Sequence, residues 1–158
     1  MSSPLRVNLD RVDRLLLSEL QADGRVSNTD LAQRAGLSQS ACLRRVQRLE
    51  AAGIIEGYGA RLDAAALGKG ETVFIEITLS NQSEAALDAF ERAVAASADI
   101  LECHLMAGEY DYLLRVSVAD SADYERLHRK QLTTLPGVAR IRSHFALRRV
   151  SRRSGLSL

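Results

Sequence analysis

The spacing of apolar residues along this chain changes period once, close to residue 70. Before that point it is helical. Val12, Leu15, Leu16 and Leu20 stand at i, i+3, i+4 and i+8 and define one face of a first helix, with Asp10 placed to cap its start. A break at Ala22-Asp23-Gly24-Arg25 leads into Ser27-Asn28-Thr29-Asp30, a capping-box spacing with Asp in the acidic place. Leu31, Ala32 and Ala35 then mark a short second helix, and Gly36 suits the left-handed residue that ends it. Ser38 caps a third helix running to about Ala52. Gly53 closes that helix, and Ile54 to Leu62 reads as extended.

From residue 73 the period is two. Val73, Ile75, Ile77 and Leu79 fall on one face of a strand. A helix over 84–96, a strand in ILECHLMA, a strand in YLLRVSV and a helix over 121–134 follow. Pro136-Gly137 breaks the second helix, and VARIRSHFAL is a last alternating strand. The order strand–helix–strand, twice, is the ferredoxin-like βαββαβ pattern. One face of the sheet collects Val73, Ile75, Ile77, Leu79, Leu101, Cys103, Leu105, Leu114, Val116, Ile141 and Phe145 for the helices to cover. The other carries Phe74, Glu76, Thr78, Glu102, His104, Leu113, Arg115, Arg140, Arg142 and His144, a mixture that suits solvent or a second copy of the chain.

The expected fold class is therefore α+β. A three-helix helix-turn-helix domain, winged or plain, occupies 1–61, and a linker with Gly68 and Gly70 occupies 62–72. A ferredoxin-like effector-binding and oligomerisation domain follows over 73–150, and then a basic, Ser-rich tail over 151–158 that is expected to fray.

At 158 residues, 46% hydrophobic and 26% charged, the chain can bury a core in each part. No run approaches the ~18 apolar residues of a membrane span, and MSSPLRVNLDRVDR lacks the apolar core of a signal peptide. The two cysteines, Cys42 and Cys103, form neither a disulfide framework nor a CxxC spacing, and Cys42 falls on an apolar stripe as a small core residue. A cytoplasmic protein with no membrane partner is expected. A net charge of +1 does not by itself point to nucleic acid, so the local distribution decides. Trp is absent and other aromatics are few, which argues against a stacking platform for single strands.

Locally, the third helix is informative. Cys42, Val46 and Leu49 share its buried stripe; Ser40, Arg44, Gln47 and Arg48 lie opposite, with Arg45 on the flank. Arg bonds guanine bidentately and Gln bonds adenine, each at roughly 1–3 kcal/mol of discrimination. Ser38, Gln39 and Ser40 at the helix start bring hydroxyls and free amides that hold phosphates. The competing reading is a solvated basic face; the capped helix and Gly turn just before it favour DNA. Catalysis finds no nucleophile motif and no phosphate-cradling Gly loop. His104 and His144 with Glu76 match no metal spacing, and no cofactor is expected.

The connection Ala107-Gly108-Glu109-Tyr110-Asp111 joins two antiparallel strands. As a plain turn it would place Gly108 at positive φ and leave its acids in solvent. As a site, Gly108 permits close backbone approach, and Glu109 or Asp111 accepts an ammonium group.

The stretch LDRVDRLLLSELQADGRVSNTDLAQRAGLSQSACLRRVQRLEAAGIIEGYGARLD resembles the N-terminal half of the Lrp/AsnC (feast/famine) bacterial transcription regulators. ECHLMAGEYDYLLRV and LPGV resemble their effector domain, in the same order. The resemblance implies dimers, assembling to octamers, that stack their open sheet faces. A two-fold pair would present its recognition helices to a pseudo-palindromic operator. It also implies an amino-acid effector held beside the hairpin at a subunit interface, and by position it nominates Leu105, Gly108, Asp111, Thr133 and His144. Family members often carry Ser-Gly-Asp where this chain has Ala107-Gly108-Glu109, which leaves cysteine, branched-chain and other amino acids open. The expected function is a sequence-specific DNA-binding regulator of amino-acid metabolism, not an enzyme. The alternatives are an effector-independent, DNA-bending architectural protein and a stand-alone small-molecule sensor or enzyme.

Overall fold

The structure is a computed structural model and describes residues 8–152 and 155–158. The chain divides into two compact units, one up to Arg61 joined by Ser151–Leu158, the other Leu62–Val150.

In the first unit, α1 (Arg11–Ala22), α2 (Asn28–Ala35) and α3 (Gln39–Ala51) each follow directly on a residue whose side chain satisfies a free backbone amide. Asp10 accepts from the Asp13 N–H at 2.7 Å while the Asp13 carboxylate accepts from the Asp10 N–H at 3.2 Å, a reciprocal capping box. Ser27 accepts from the Asp30 N–H at 3.1 Å and Ser38 from the Ala41 N–H at 3.3 Å. Caps of this kind contribute about 1 kcal/mol each. Gly36, at φ 65°, turns the chain out of α2, and the Leu37 N–H closes on the Ala32 carbonyl at 2.9 Å. Leu16, Leu31, Ala32 and Cys42 form the core, ringed by Val12, Leu20, Val26, Ala35, Leu37 and Val46.

Two expectations shift. On α1 the buried stripe is rotated, with Leu15 exposed and Asp13 and Leu17 buried, because the partners of Asp13 lie on that side. Residues 54–62 leave α3 as irregular chain and form no strand within the protomer.

The second unit consists of β1 (Glu71–Leu79), α4 (Glu84–Ala95), β2 (Ile100–Leu105), β3 (Tyr112–Val118), α5 (Ser121–Lys130) and β4 (Val138–Phe145). Past α5 a single 3-10 turn, Leu132–Thr134, takes the place of the expected helical continuation. The sheet is antiparallel throughout in the order β2-β3-β1-β4, the ferredoxin-like arrangement. Val73, Ile75, Ile77, Leu114 and Val116 are fully buried with Phe90 of α4, Leu132 and Tyr112. The Phe90 and Tyr112 ring centroids lie 4.4 Å apart, the rings tilted by 32°. At roughly 1.5–3 kcal/mol for each large apolar side chain, this cluster is the main source of the unit's stability.

The edge strand departs from strict alternation. A register shift between Ile100 and Glu102 turns Ile100 and Cys103 onto the core and leaves Leu101 half exposed. Leu105, also expected under the helices, is 61% exposed. Phe145 packs edge-on against Tyr124 of α5 but stays partly open. On the opposite face the register sets Phe74 beside Arg115 and His144, Glu76 beside Leu113 and Arg142, and Thr78 beside Arg140.

Candidate functional site

The third helix presents a surface and a tethered flank. Cys42 and Leu49 are buried, while Gln39, Ser40, Leu43, Arg44 and Gln47 are exposed. The side chains of Arg44 and Gln47 make no hydrogen bond or ion pair among the described residues and are free to meet a ligand. The Ser38 and Ser40 hydroxyls lie 3.3 Å apart at the helix start. Below them the Asn28 amide donates to the Gln39 carbonyl at 3.0 Å and fixes α3 against α2.

Arg45 and Arg48, both expected to reach DNA, are bound to α1. Arg45 Nη1 lies 2.7 Å from Asp10 Oδ2 and 2.8 Å from Asp13 Oδ1, and Arg48 Nη2 lies 2.6 Å from Asp13 Oδ2. Asp13 is 1% exposed, and its two carboxylate oxygens are buried against these two guanidinium groups. The hydrogen bond from the Asp13 backbone, and then the Arg45 guanidinium, hold the Asp10 carboxyl below the usual carboxylate range. Arg45 is a structural tether. Arg48 keeps half its side chain in solvent and has donors left for a phosphate. Leu43, 47% exposed, is an apolar side chain on this open face that the helical pattern did not single out, and its signal was a position off the buried stripe; a side chain of this kind can contact a thymine methyl.

At the β2–β3 hairpin the Met106 N–H donates to the Asp111 carbonyl at 2.8 Å. The Asp111 carboxylate, which the sequence offers for an ammonium, has both oxygens engaged in the fold. Oδ2 accepts from the Leu79 N–H at 2.7 Å and Oδ1 from the Gln82 amide at 2.6 Å. Leu79 lies beyond the last β1–β3 pair, Ile77 with Tyr112, and Asp111 supplies the acceptor that the ladder no longer does. Gly108 is also not what the turn reading requires: it is absent from the residues at positive φ, and a Cβ built on it meets nothing within 4 Å. The turn can form without glycine there.

Glu109 is exposed and carries no partner among the described residues. Beside it a cavity of about 250 Å³ is lined by Glu76, Thr78, Glu109, Tyr110, Arg140 and Arg142. Neither Arg140 nor Arg142 makes a hydrogen bond or ion pair among the described residues. The cavity thus joins unpaired guanidinium groups to an unpaired carboxylate, which is what the two charged ends of a free amino acid require.

Of the other nominated residues, Leu105 and Thr133 do not line this cavity within one protomer. His144 stands just behind the cavity wall, its Nε2 3.2 Å from Oε1 of the lining residue Glu76, and two positions along β4 from Arg142. Thr133 Oγ1 donates to the Arg129 carbonyl at 3.0 Å in the turn after α5. Leu105 pairs with Tyr112 at the hairpin's base. No three of the His, Cys, Asp and Glu side chains among the described residues come together as a metal site. Burial, and then the Glu91 carboxylate, push the Cys103 thiol up to about 11.

A three-helix unit with an open, partly basic reading face, followed by a ferredoxin-like unit with a zwitterion-lined cavity, defines a class: a DNA-binding regulator with a ligand-binding domain. Residues 9–56 match the winged helix-turn-helix DNA-binding family and residues 72–156 the Lrp/AsnC ligand binding domain. The chain belongs to the Lrp/AsnC family of transcription regulators. It is 43% identical over 149 residues to the leucine-responsive regulatory protein of Escherichia coli K12, across 94% of this chain and 91% of that one. A transcriptional regulator of Neisseria meningitidis solved with L-methionine is 32% identical with a TM-score of 0.89, covering 95% of this chain and 97% of that one. The feast or famine regulatory protein of Mycobacterium tuberculosis, also complexed with L-methionine, is 36% identical with a TM-score of 0.82, covering 94% and 99%.

Proposed function

We propose that this chain is a transcription regulator that reads duplex DNA with α3 and answers to an amino acid held at the hairpin end of its sheet. The observation that carries the first half is the exposed face of α3, with Ser40 and Leu43 beside the unpaired side chains of Arg44 and Gln47, on a helix clamped to α1 and α2. Arg44 and Gln47 supply base recognition, and Ser38, Gln39, Ser40 and the free donors of Arg48 hold phosphates. A chain with this task acts in the cytoplasm of a bacterium, where the DNA is.

For the effector, Glu109 takes the ammonium and Arg140 or Arg142 the carboxylate. Asp111 holds the hairpin in place from below. His144 backs the site through Glu76, while Leu105 and Thr133 lie apart in one protomer, and a subunit interface is where they join the site. The open sheet face, mixing Phe74 and Leu113 with unpaired arginines and with acids, favours stacking on a second copy, and dimers of this kind assemble further to octamers. L-methionine and L-leucine are the first effectors to try, given the relatives' ligands and names.

The test is a thermal-shift screen of the whole chain against the common amino acids, repeated with Glu109→Gln. At least one amino acid raises the melting temperature of the parent, and the response weakens in the variant. A chain that responds to none of them, yet still binds duplex DNA with little sequence preference, would be an architectural protein.

A further inference from the structure

The segment after β4 ends on the DNA-binding unit. Gly155 to Leu158 lies against Gln21 of α1, whose amide grips the backbone of Leu156 from both sides. The Leu156 N–H donates to Gln21 Oε1 at 2.6 Å, and Gln21 Nε2 donates to the Leu156 carbonyl at 3.3 Å. A side-chain amide reading one residue's N–H and C=O in this way imitates a strand partner and places no demand on that residue's side chain.

Gly155 makes the approach possible. A Cβ at this position would stand 2.9 Å from Gln21 Oε1 and 3.3 Å from Gln21 Cβ. The groove here, about 530 Å³, runs between Leu17 and Leu20 of α1 and the Ile54–Tyr58 stretch that leaves α3, and Leu156 and Leu158 form part of its wall. The Tyr58 hydroxyl donates to Glu50 at 2.9 Å, which ties that stretch back to α3. None of the α3 reading residues lines the groove.

We propose that this groove is a docking site for the chain's own Gly-Leu-Ser-Leu segment, which closes on it as a detachable clasp. When closed, the clasp attaches the DNA-binding unit to the rest of the chain at two points, through 62–70 and through 146–152. When open, it leaves one. The seat is shallow, with Leu156 80% exposed, so the clasp is held by few contacts and opens readily. A second attachment narrows the range over which the reading helix can search for its half-site, and thereby sets the effective concentration for a second contact.

Three measurements test this. In the Gln21→Cys/Gly155→Cys variant, oxidation forms a bond within one chain once the two Cβ positions move a few tenths of an ångström apart, from 3.3 Å into the roughly 3.5–4.5 Å range of natural disulfides. A bond between chains, or none, overturns docking within the protomer. Backbone amides of 54–61 exchange about fivefold faster in Leu156→Asp/Leu158→Asp, the factor expected from losing the net worth of one or two hydrogen bonds. Unchanged exchange there, in this variant and in Gly155→Ala, removes the clasp. Finally, oxidised and reduced forms of the cysteine pair are titrated on a duplex bearing two half-sites. Different affinities support control of the reader's freedom, and superimposable isotherms overturn that control. Only this last readout rests on the DNA-binding function proposed above; the first two stand or fall without it.

Discussion

Arg48 of the third helix bonds to Asp13 of the first at 2.6 Å, so the most buried charge of the DNA-binding unit is held by a residue of its reading helix. The same carboxylate takes Arg45 at 2.8 Å. The orientation of α3 therefore depends on α1 through charge as well as through Leu16 and Cys42.

Removing Asp13 should be costly in a way that removing Arg44 is not. Asp13→Ala loses two charge-assisted hydrogen bonds and half of the capping box, about 1.5–3 kcal/mol each at most, and lowers the melting temperature of the DNA-binding unit. Arg44→Ala leaves melting unchanged and weakens specific binding by roughly 1–3 kcal/mol. Differential scanning calorimetry and a DNA titration on the two variants separate the roles; a stability loss in Arg44→Ala of the size seen in Asp13→Ala would contradict the assignment. A lost phosphate contact, by comparison, lowers the salt slope by about 0.9.

At the hairpin the two acids should behave oppositely. Asp111→Ala strands the Leu79 N–H and the Gln82 amide, and destabilises the second unit by about 1–3 kcal/mol. Glu109→Gln leaves the fold intact and blunts the response to amino acid. Gly108→Ala is also tolerated by the fold, because no positive φ and no close neighbour forbids a methyl there; if the effector or a partner approaches this backbone, the variant loses its response all the same. Chemical denaturation and ligand titration on the three variants decide it.

Acid should loosen both units. The carboxyl of Asp10 is held low by the Asp13 N–H and then Arg45, that of Glu102 by Arg115, and that of Asp123 by the Ala119 N–H and then Arg126. Groups whose folded values lie below the usual ~3.9–4.3 contribute stability that is present above that range and is lost as pH falls through the folded value. Melting temperature followed from pH 6 down to about 2.5 should fall below pH ~4, and Asp10→Asn should flatten that limb for the first unit alone. An unchanged acid limb in Asp10→Asn would contradict the pairing.

Both thiols should resist alkylation in the folded chain. Burial raises Cys42, which sits wholly inside the first core, and Cys103 is pushed up to about 11. Iodoacetamide at pH 7.5 should label neither within minutes and both after denaturation, read by intact mass. Rapid labelling of Cys103 in the folded protein would mean that β2 opens.

What could be read from the chain alone was what is local. Asp10, Ser27 and Ser38 cap helices through contacts three residues away, and Gly36 turns within its own helix end, so pattern suffices for them. Period two likewise sorted β1 and β3 onto their faces. What the pattern does not show is pairing between distant parts of the chain. Arg45 and Arg48 read as free cations until Asp13, more than thirty residues earlier, is folded against them, which leaves Arg48 half exposed with donors to spare. Asp111 looks like a free acid until the end of β1 arrives beside it. Leu101 turns outward because of a register shift that alternation does not announce. Arg140 and Arg142 were placed on the open face, but their union with Glu109 around one cavity requires the register between β1 and β4.

The central claim, that one chain both reads DNA and senses an amino acid, is tested most directly by a single titration. Duplex DNA carrying a selected binding site is titrated with the full chain by fluorescence anisotropy, without amino acid and with L-methionine or L-leucine at saturating concentration. The predicted result is an isotherm whose midpoint or steepness shifts with amino acid in the parent, shifts less in Glu109→Gln, and moves to weaker binding at the specific site in Arg44→Ala. Isotherms that superimpose for every amino acid tried, with Arg44→Ala binding as well as the parent, would contradict it.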